Sequence, residues 1–223
     1  LTPYRKETRA VEGASFLPGR GIGLIEVDAR GTGGSEGEYD IVFSMREQRD
    51  AAAIVDMTAG LALPGYPDAC LTNVGMYGGS YSGIIQNLVA TLPPALAPRH
   101  LAAIAPQRAY GDLYRDIVYQ GGQSIGSFGL AWSSAATGLY TQPPTNINTP
   151  AGQAAWVDHV TKNDPMMAHY YQAPYADAVY TSDDSVPSYT QKLYEDSSSL
   201  TRIQNLRVPV LQLAGWFDAF TRG

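Results

Sequence analysis

The sequence predicts an α/β protein in which a mostly parallel, doubly wound sheet carries an inserted helical cap. Three observations predict this class. Short apolar segments alternate with helical segments up to residue 107, a region rich in Tyr, Gln, Ser, Gly and Pro interrupts the alternation, and an apolar segment returns near the end. This order is typical of parallel sheets, whose strands are covered on both faces and are therefore continuous apolar runs.

Each element has its own local pattern. Segments with the apolar pattern of buried strands are 21–28, 72–77, 101–105 and 208–215. Segments rich in helix formers are 45–59, 82–90 and 152–162. In the first helix, Ala51, Ile54 and Val55 are spaced for one apolar face, and Gly60 ends it. We therefore predict the N-terminal part of an α/β core over 1–107, an inserted cap over 108–200 and a return to the core over 201–223.

Composition and charge limit the possible partners. The formal net charge is −6, and lysine and arginine form no cluster, which argues against a nucleic-acid groove or an anionic membrane surface. No apolar run reaches the roughly 18–20 residues of a membrane span. Cys70 is the only cysteine, so an internal disulfide is impossible, and an inert buried thiol is the expected state. A small-molecule or peptide partner is expected.

A candidate nucleophile lies between the second strand and the second helix, in the Gly-Gly-Ser-Tyr-Ser-Gly segment 78–83. A serine hydroxyl attacks only when a tight turn presents it to a base and to oxyanion donors. A strand, a turn with small residues and a helix are the context that such an elbow requires. Ser82 stands where the usual pattern has glycine, and its small size should still let the helix approach the strand. The alternative is a serine that only caps the helix.

Four separated motifs extend this pattern. They are Pro3-Tyr4, the Val-Asp-Ala-Arg-Gly-Thr-Gly-Gly-Ser-Glu-Gly segment 27–37, segment 73–83, and the Gly-Trp-Phe-Asp-Ala-Phe segment 215–220. In this order the motifs resemble the family of cocaine esterase, the X-prolyl dipeptidyl peptidases and the α-amino acid ester hydrolases. The resemblance implies a partial α/β-hydrolase fold and a serine hydrolase that cleaves acyl esters or amides.

The resemblance also implies roles for individual residues. Ser80 would be the acylated nucleophile, and Asp218 in the Gly-Trp-x-Asp motif would be the triad acid. The Tyr81 N–H and the Tyr4 hydroxyl would hold the oxyanion; the Tyr81 donor is also what elbow geometry predicts. Trp132 and Phe220 fall where the family has aromatic walls of the substrate pocket, although each could equally belong to the core.

A histidine base is not found at the expected place. Triad order in this class is serine, acid, histidine, yet His100, His159 and His169 all precede Asp218. His100 begins a strand, and the other two lie in the predicted cap, so each is expected to be a surface or packing residue. The family histidine lies beyond the Gly-Trp-x-Asp motif, so we expect a fragment that lacks its base and cannot complete a triad.

Other segments of the sequence can be compared with phosphate-binding, metal-binding and amine-binding sites. Segment 28–37 lacks the Gly-Lys-Ser/Thr of a phosphate-binding loop, so a structural turn tied by Asp28 and Arg30 is predicted instead. No metal-ligand spacing occurs, and no metal or cofactor is expected. Asp112 and Asp116 could bind a substrate ammonium, but Arg115 between them offers an ordinary ion pair. Esters are therefore preferred as substrates, and X-prolyl dipeptidyl peptidase activity, α-amino acid ester hydrolase activity and a non-catalytic protein are the alternatives.

Overall fold

The computed structural model describes residues 1–7, 16–62, 72–163 and 191–220. The chain forms two compact units, one made of 1–42 with 118–194 and one made of 43–117 with 195–223. Cys70 and His169, for which the sequence made predictions, lie outside the described residues. The boundaries of the inserted cap, 108–200, stay a prediction.

The unit made of 43–117 and 195–223 is built on a parallel strand pair. Strand β1 (Val74–Gly79) pairs in parallel with β2 (Leu101–Gln107), and Gly79 stands opposite Gln107 at the carboxyl edge. Helix α2 (Tyr81–Ala90) connects the two strands and packs on both. Helix α1 (Met45–Thr58) packs against α2. All four elements lie within a few residues of their predicted positions, which confirms a parallel α/β arrangement.

Helix α1 begins where its local sequence predicts. Ser44 stands at the N-cap, and its hydroxyl accepts a 3.2 Å hydrogen bond from the Glu47 N–H. Ala51 and Val55 of the predicted apolar face are buried. Glu47 and Gln48 are buried with them, so the inner face of α1 also carries polar side chains.

The predicted strand over 208–215 is only partly formed. Val210 bridges Ile104, and Leu213 bridges Gln107, both in parallel on the free side of β2. The predicted burial of this strand is wrong, because Val210, Leu211 and Leu213 are 41%, 62% and 46% exposed. An apolar run shows that a strand can be buried, but burial also requires that neighbouring elements cover both faces of the sheet. In the described ranges β2 pairs with one edge of this segment, and pairing at an edge does not cover a face.

The predicted strand over 21–28 does not form. Residues 21–26 are exposed, and with the other described residues the segment makes one parallel bridge, between Asp28 and Thr2. The Thr2 N–H donates to the Val27 carbonyl, and the Ala29 N–H donates to the Thr2 carbonyl. The prediction was wrong because β pairing needs a partner strand over its whole length, and the run itself does not encode that partner.

The unit made of 1–42 and 118–194 is mainly helical in its second part. Helices α3 (Gly126–Tyr140) and α4 (Pro150–Lys162) follow a short hairpin of β3 (Tyr119–Gln120) and β4 (Gln123–Ser124). Helix α4 confirms the helix predicted over 152–162. Helix α5 (Gln191–Asp196) follows along the chain. In the parts of the chain that the structure describes, no helix is both long and apolar enough to cross a membrane.

His159 of α4 is a packing residue. Its side chain is fully buried, and its Nε2 lies 2.8 Å from the Ser35 carbonyl oxygen. A carbonyl oxygen only accepts, so Nε2 carries the ring proton. Burial lowers the pKa of the imidazole, which favours its neutral form in the fold.

Acid should weaken the fold through this histidine. An unfolded histidine titrates near pH 6.5, and the folded pKa is lower, so the unfolded chain binds more protons below that pH. The stabilisation by neutral His159 is therefore complete above about pH 6.5 and is lost as the pH falls toward the folded pKa. Urea unfolding between pH 5.5 and 7.5 should show this slope, and His159→Gln, which keeps a donor for Ser35, should flatten it. An unchanged slope, or equal flattening by His100→Gln, would contradict the assignment.

Candidate active site

Ser80 occupies a strained turn between β1 and α2. Its backbone has φ 55° and ψ −123°, a conformation that non-glycine residues rarely adopt. The turn is held from both sides, because the Ser80 N–H donates to the Gln107 carbonyl at 2.9 Å and the Ser80 carbonyl accepts from Gly83 and Ile84 at 2.8 Å. The hydroxyl makes no capping bond to the helix, which the alternative of a simple helix cap requires. The sequence therefore folds here into the strand-turn-helix geometry of a nucleophile elbow.

The close approach of helix and strand depends on Gly83. A Cβ there would lie 2.7 Å from the Gln107 carbonyl oxygen and 3.1 Å from the Gly78 carbonyl oxygen. Ser82, which the sequence suggested as the small residue at this contact, instead places its Cβ over Gly78. The elbow thus tolerates serine at position 82, because the residue that faces β2 is Gly83.

Gly78 is the glycine whose backbone conformation matters most. Its φ is 147°, and a Cβ would lie 2.7 Å from the Ser82 Cβ. Gly78→Ala should therefore lower the free energy of unfolding by about 1–3 kcal/mol, through backbone strain and overpacking. Gly75→Ala in the same strand is the control, because its φ is not positive and its Cβ would meet only the Ala103 carbonyl at 3.8 Å. Equal losses in the two variants by urea unfolding would refute this account of the turn.

Tyr81, the residue after the nucleophile, is anchored by a buried carboxylate. Its hydroxyl lies 2.7 Å from both carboxylate oxygens of Glu47 and donates to them. Glu47 also accepts the Phe43 N–H at 2.8 Å, and the Phe43 ring stacks on the Tyr81 ring with centroids 4.2 Å apart. Tyr81 is 1% exposed, and Glu47 is 5% exposed. The side chain is thereby held at the first position of α2, where backbone N–H groups point out of the helix.

Sequence reasoning missed Glu47 as part of this site. The Ser-x-x-Glu spacing of Ser44 and Glu47 is a visible signal for a helix start. It does not predict the bond to Tyr81, because the two residues are 34 positions apart in the chain. Only the packing of α1 against α2 brings them together.

Asp218 lies in a turn beyond the segment that pairs with β2. The Asp218 N–H donates to the Gly215 carbonyl at 3.1 Å, and the Phe220 N–H donates to the Asp218 carboxylate at 3.1 Å. Leu213, at the end of the paired segment, bridges Gln107, the residue whose carbonyl accepts the Ser80 N–H. The nucleophile and the predicted acid therefore follow neighbouring strand positions at one carboxyl edge, where open parallel sheets place their sites.

Aromatic rings connect the acid loop to the elbow. Phe220 packs edge-on against Tyr110 with centroids 6.2 Å apart, and Tyr110 packs edge-on against Phe43 at 5.6 Å. Phe43 in turn contacts Tyr81. Phe220 is 6% exposed, so the structure places it in this cluster; contact with substrate stays a prediction for it.

Tyr4 and Trp132 contact each other in the unit made of 1–42 and 118–194. The Trp132 Nε1–H, from helix α3, donates to the Tyr4 hydroxyl oxygen at 2.7 Å. Tyr4 is 8% exposed, and Trp132 is half-buried. The bond uses a lone pair of the hydroxyl rather than its proton, which is compatible with a tyrosine that acts as a donor. The predicted oxyanion donor and the predicted pocket wall are thus neighbours.

Each of the two described histidines has a polar partner of its own. His100 precedes β2, and its Nδ1 lies 3.1 Å from an Asp56 carboxylate oxygen. Because β2 has seven residues, this edge lies roughly 20 Å from the Ser80 edge. His159 is buried against Ser35 in the other unit. Neither histidine has a geometry that indicates a catalytic base.

Two acidic features have structural roles. Asp28 is 2% exposed and accepts the N–H groups of Lys6 at 2.7 Å and Gly34 at 2.8 Å, which agrees with the predicted structural turn. Asp116 is buried and accepts from the N–H groups of Gly111 and Asp112. These bonds explain both carboxylates without a bound phosphate or ammonium.

Comparisons with known proteins agree with the four motifs. A family model described as X-Pro dipeptidyl-peptidase (S15 family) matches residues 1–223. Cocaine esterase from Rhodococcus sp. (strain MB1 Bresler) is 29% identical over 217 residues, which make up 90% of this chain and 34% of that protein. The chain therefore spans about a third of the length of this curated relative.

Two crystal structures of a CocE/NonD family hydrolase from Staphylococcus aureus resemble this chain. One has a TM-score of 0.47 and 22% identity and covers 73% of this chain and 23% of that chain. The other has a TM-score of 0.49 and 19% identity and covers 88% of this chain and 33% of that chain. Because the family model matches along the whole sequence, this chain belongs to the X-Pro dipeptidyl-peptidase (S15) family of hydrolases.

Proposed function

We propose that this chain carries the nucleophile and the acid of a serine hydrolase that cleaves acyl esters or amides through an acyl-enzyme on Ser80. The backbone of Ser80 is the observation that carries the proposal. It has φ 55° at a strand-helix turn, and its hydroxyl does not cap the helix. Strain of this kind persists only where the surrounding structure maintains it, and it clusters at active sites.

The chemistry follows from the groups around the turn. Ser80 Oγ adds to the scissile carbonyl while a base removes the hydroxyl proton, and the oxyanion forms beside the Tyr81 N–H at the start of α2. The base then gives this proton to the leaving oxygen or nitrogen, and collapse of the tetrahedral intermediate expels the neutral alcohol or amine and leaves the acyl group on Ser80. Water then attacks the acyl-enzyme with help from the same base and releases the carboxylic acid. Asp218 orients the base, a histidine other than His100 or His159. For Tyr4 as second oxyanion donor and Trp132 as pocket wall, the proposal rests on the family resemblance.

The substrate is proposed to be an ester rather than a peptide. The curated relative is named an esterase, whereas the family description names an X-Pro dipeptidyl peptidase. An exopeptidase needs carboxylates that bind a substrate ammonium, and Asp116 is already occupied by two backbone N–H groups. The fold proposed for the whole protein is the α/β-hydrolase fold, of which β1, β2 and the elbow are a part.

Covalent labelling tests the proposal directly. The full-length gene product should react with an uncharged fluorophosphonate, and mass spectrometry of the peptide over 73–83 should place the adduct on Ser80. Ser80→Ala should abolish the label, because it removes the only atom that attacks phosphorus.

Ser82→Ala is the matched control, two positions away in the same turn. It should still be labelled, because alanine keeps the Cβ that faces Gly78 and lacks only the Ser82 hydroxyl. Labelling that persists in Ser80→Ala, or that is lost equally in Ser82→Ala, would refute Ser80 as the nucleophile.

A further inference from the structure

The peptide unit that joins Ser80 to Tyr81 is held in one orientation by helix α2. Its carbonyl accepts the Gly83 and Ile84 N–H groups at 2.8 Å and therefore points into the helix. A trans peptide directs its N–H opposite to its carbonyl. The Tyr81 N–H is thus directed out of the N-terminal end of α2, as an oxyanion donor next to a nucleophile must be.

The other end of this peptide unit is the Tyr81 Cα, whose position depends on the Tyr81 side chain. The ring is buried and packs on the Phe43 ring, with centroids 4.2 Å apart. Its hydroxyl donates to the Glu47 carboxylate, with both oxygens at 2.7 Å. Because only two rotatable bonds separate a tyrosine ring from its backbone, a fixed ring and hydroxyl also fix the Cα closely. Glu47 therefore acts on this peptide unit from outside α2.

Phe43 has a strained backbone that supports the same contact. Its φ is 58°, a left-handed conformation that is unfavourable for a bulky residue. Its N–H donates to Glu47 at 2.8 Å, and its carbonyl accepts the Gln48 side-chain amide at 2.8 Å. Strain of this kind persists only where surrounding contacts maintain it, and it clusters at functional sites. In this conformation Phe43 supplies both the ring that packs on Tyr81 and a donor that orients the Glu47 carboxylate.

We propose that Glu47 is a positioning residue for the oxyanion hole: by holding the Tyr81 hydroxyl, it fixes the backbone N–H that binds the developing oxyanion. This inference rests on the proposed function, because it needs acyl transfer at Ser80. The role requires neither contact between Glu47 and the substrate nor a proton transfer. Since an oxyanion donor stabilises the tetrahedral state more than the bound ester, displacement of this N–H lowers kcat and leaves KM nearly unchanged.

Steady-state kinetics of the full-length gene product on 4-nitrophenyl acetate test this role. Glu47→Leu should lower kcat by about 10- to 100-fold with KM within about threefold, because a shift of about 1 Å in a positioned group costs up to about 100-fold in rate. Tyr81→Phe keeps the backbone N–H and lacks only the hydroxyl, so it should lower kcat by about tenfold. Glu47→Gln retains an oxygen that can accept the Tyr81 hydroxyl proton and should recover most of the activity. If Glu47→Leu does not fold, Tyr81→Phe decides by itself.

The double variant that combines Glu47→Leu with Tyr81→Phe separates this role from a general loss of packing. It should be no slower than Glu47→Leu alone, because the two substitutions break the same bond. Phenylboronic acid becomes tetrahedral on a nucleophilic serine and places an oxygen at the oxyanion position. Its inhibition constant should rise in both single variants in proportion to their loss of kcat/KM, since it resembles the tetrahedral state.

Asn163→Leu is the matched control for a buried polar side chain. Like Glu47 it is buried, and it binds two distant groups, the Tyr39 N–H at 2.8 Å and the Gly31 carbonyl at 2.7 Å. Its variant should lose stability in urea unfolding but keep kcat within a few-fold. An unchanged kcat in Tyr81→Phe, additive losses in the double variant, or an equal fall of kcat in Asn163→Leu would overturn the inference, while fluorophosphonate labelling of wild-type Ser80 leaves the proposed function standing. Wild type that is not labelled would overturn both.

Discussion

Ser80→Ala is expected to lower kcat/KM of the full-length gene product toward an activated aryl ester by about 10⁴- to 10⁶-fold. The loss should be large because alanine removes the atom that is proposed to form the acyl-enzyme, and water must then attack the substrate directly. The residual rate should exceed the uncatalysed one, since the variant keeps the backbone N–H groups at the start of α2 that are proposed to hold the oxyanion. Stopped assays of wild type and variant at equal substrate concentration measure the difference.

The alanine variant should fold like wild type, which separates chemistry from stability. The Ser80 hydroxyl makes no capping bond, so its loss leaves the turn's backbone bonds to Gln107, Gly83 and Ile84 intact. Alanine must still adopt the strained φ of 55° there, as serine does. Ser82→Ala should keep its rate within a few-fold. A Ser80→Ala enzyme with more than a tenth of wild-type activity would exclude an acyl-enzyme at this residue.

Asp218→Asn is expected to lower kcat by about 10³- to 10⁴-fold with little change in KM. An amide has nearly the shape of the carboxylate, and its carbonyl oxygen can still accept the Phe220 N–H. It cannot stabilise the positive imidazole that forms when the base takes the Ser80 proton, and it can favour the wrong ring tautomer. Steady-state kinetics at several pH values give kcat and KM separately.

Asp158→Asn is the control for the aspartate variant. Asp158 lies on α4 and pairs with Lys162 at 3.0 Å on the surface, an interaction worth little. Its variant should match wild type. If Asp218→Asn instead raises KM and leaves kcat unchanged, Asp218 binds substrate and the triad acid must be another residue.

The elbow could be predicted from the sequence because its determinants are local. A strand, a glycine, a serine and a helix follow one another over 74–90, and each has a pattern that can be recognised without knowledge of the rest of the chain. The structure confirms β1 and α2 there and adds the strained φ of Ser80. It also shows that Gly83, rather than position 82, permits the close contact with β2.

The predictions that failed concerned burial. Residues 21–26 and 209–213 belong to segments with the composition of buried strands, yet they are exposed in the described structure. Hydrophobic periodicity shows that a segment can form a buried strand if other elements pack over it. It does not identify which elements those are. Strand pairing between residues far apart in sequence carries no local signal.

The sequence by itself determined the family, the position of Ser80, and the order of helices and strands around it, because motifs and periodicity are properties of neighbouring residues. The tertiary structure alone decided which side chains support and surround the nucleophile. The bond from Tyr81 to Glu47 joins residues 34 positions apart, and the bond from the Ser80 N–H to the Gln107 carbonyl joins residues 27 positions apart. Such contacts arise only when α1 packs on α2 and when β2 pairs beside β1, because side-chain interactions depend on distance in space and not along the chain.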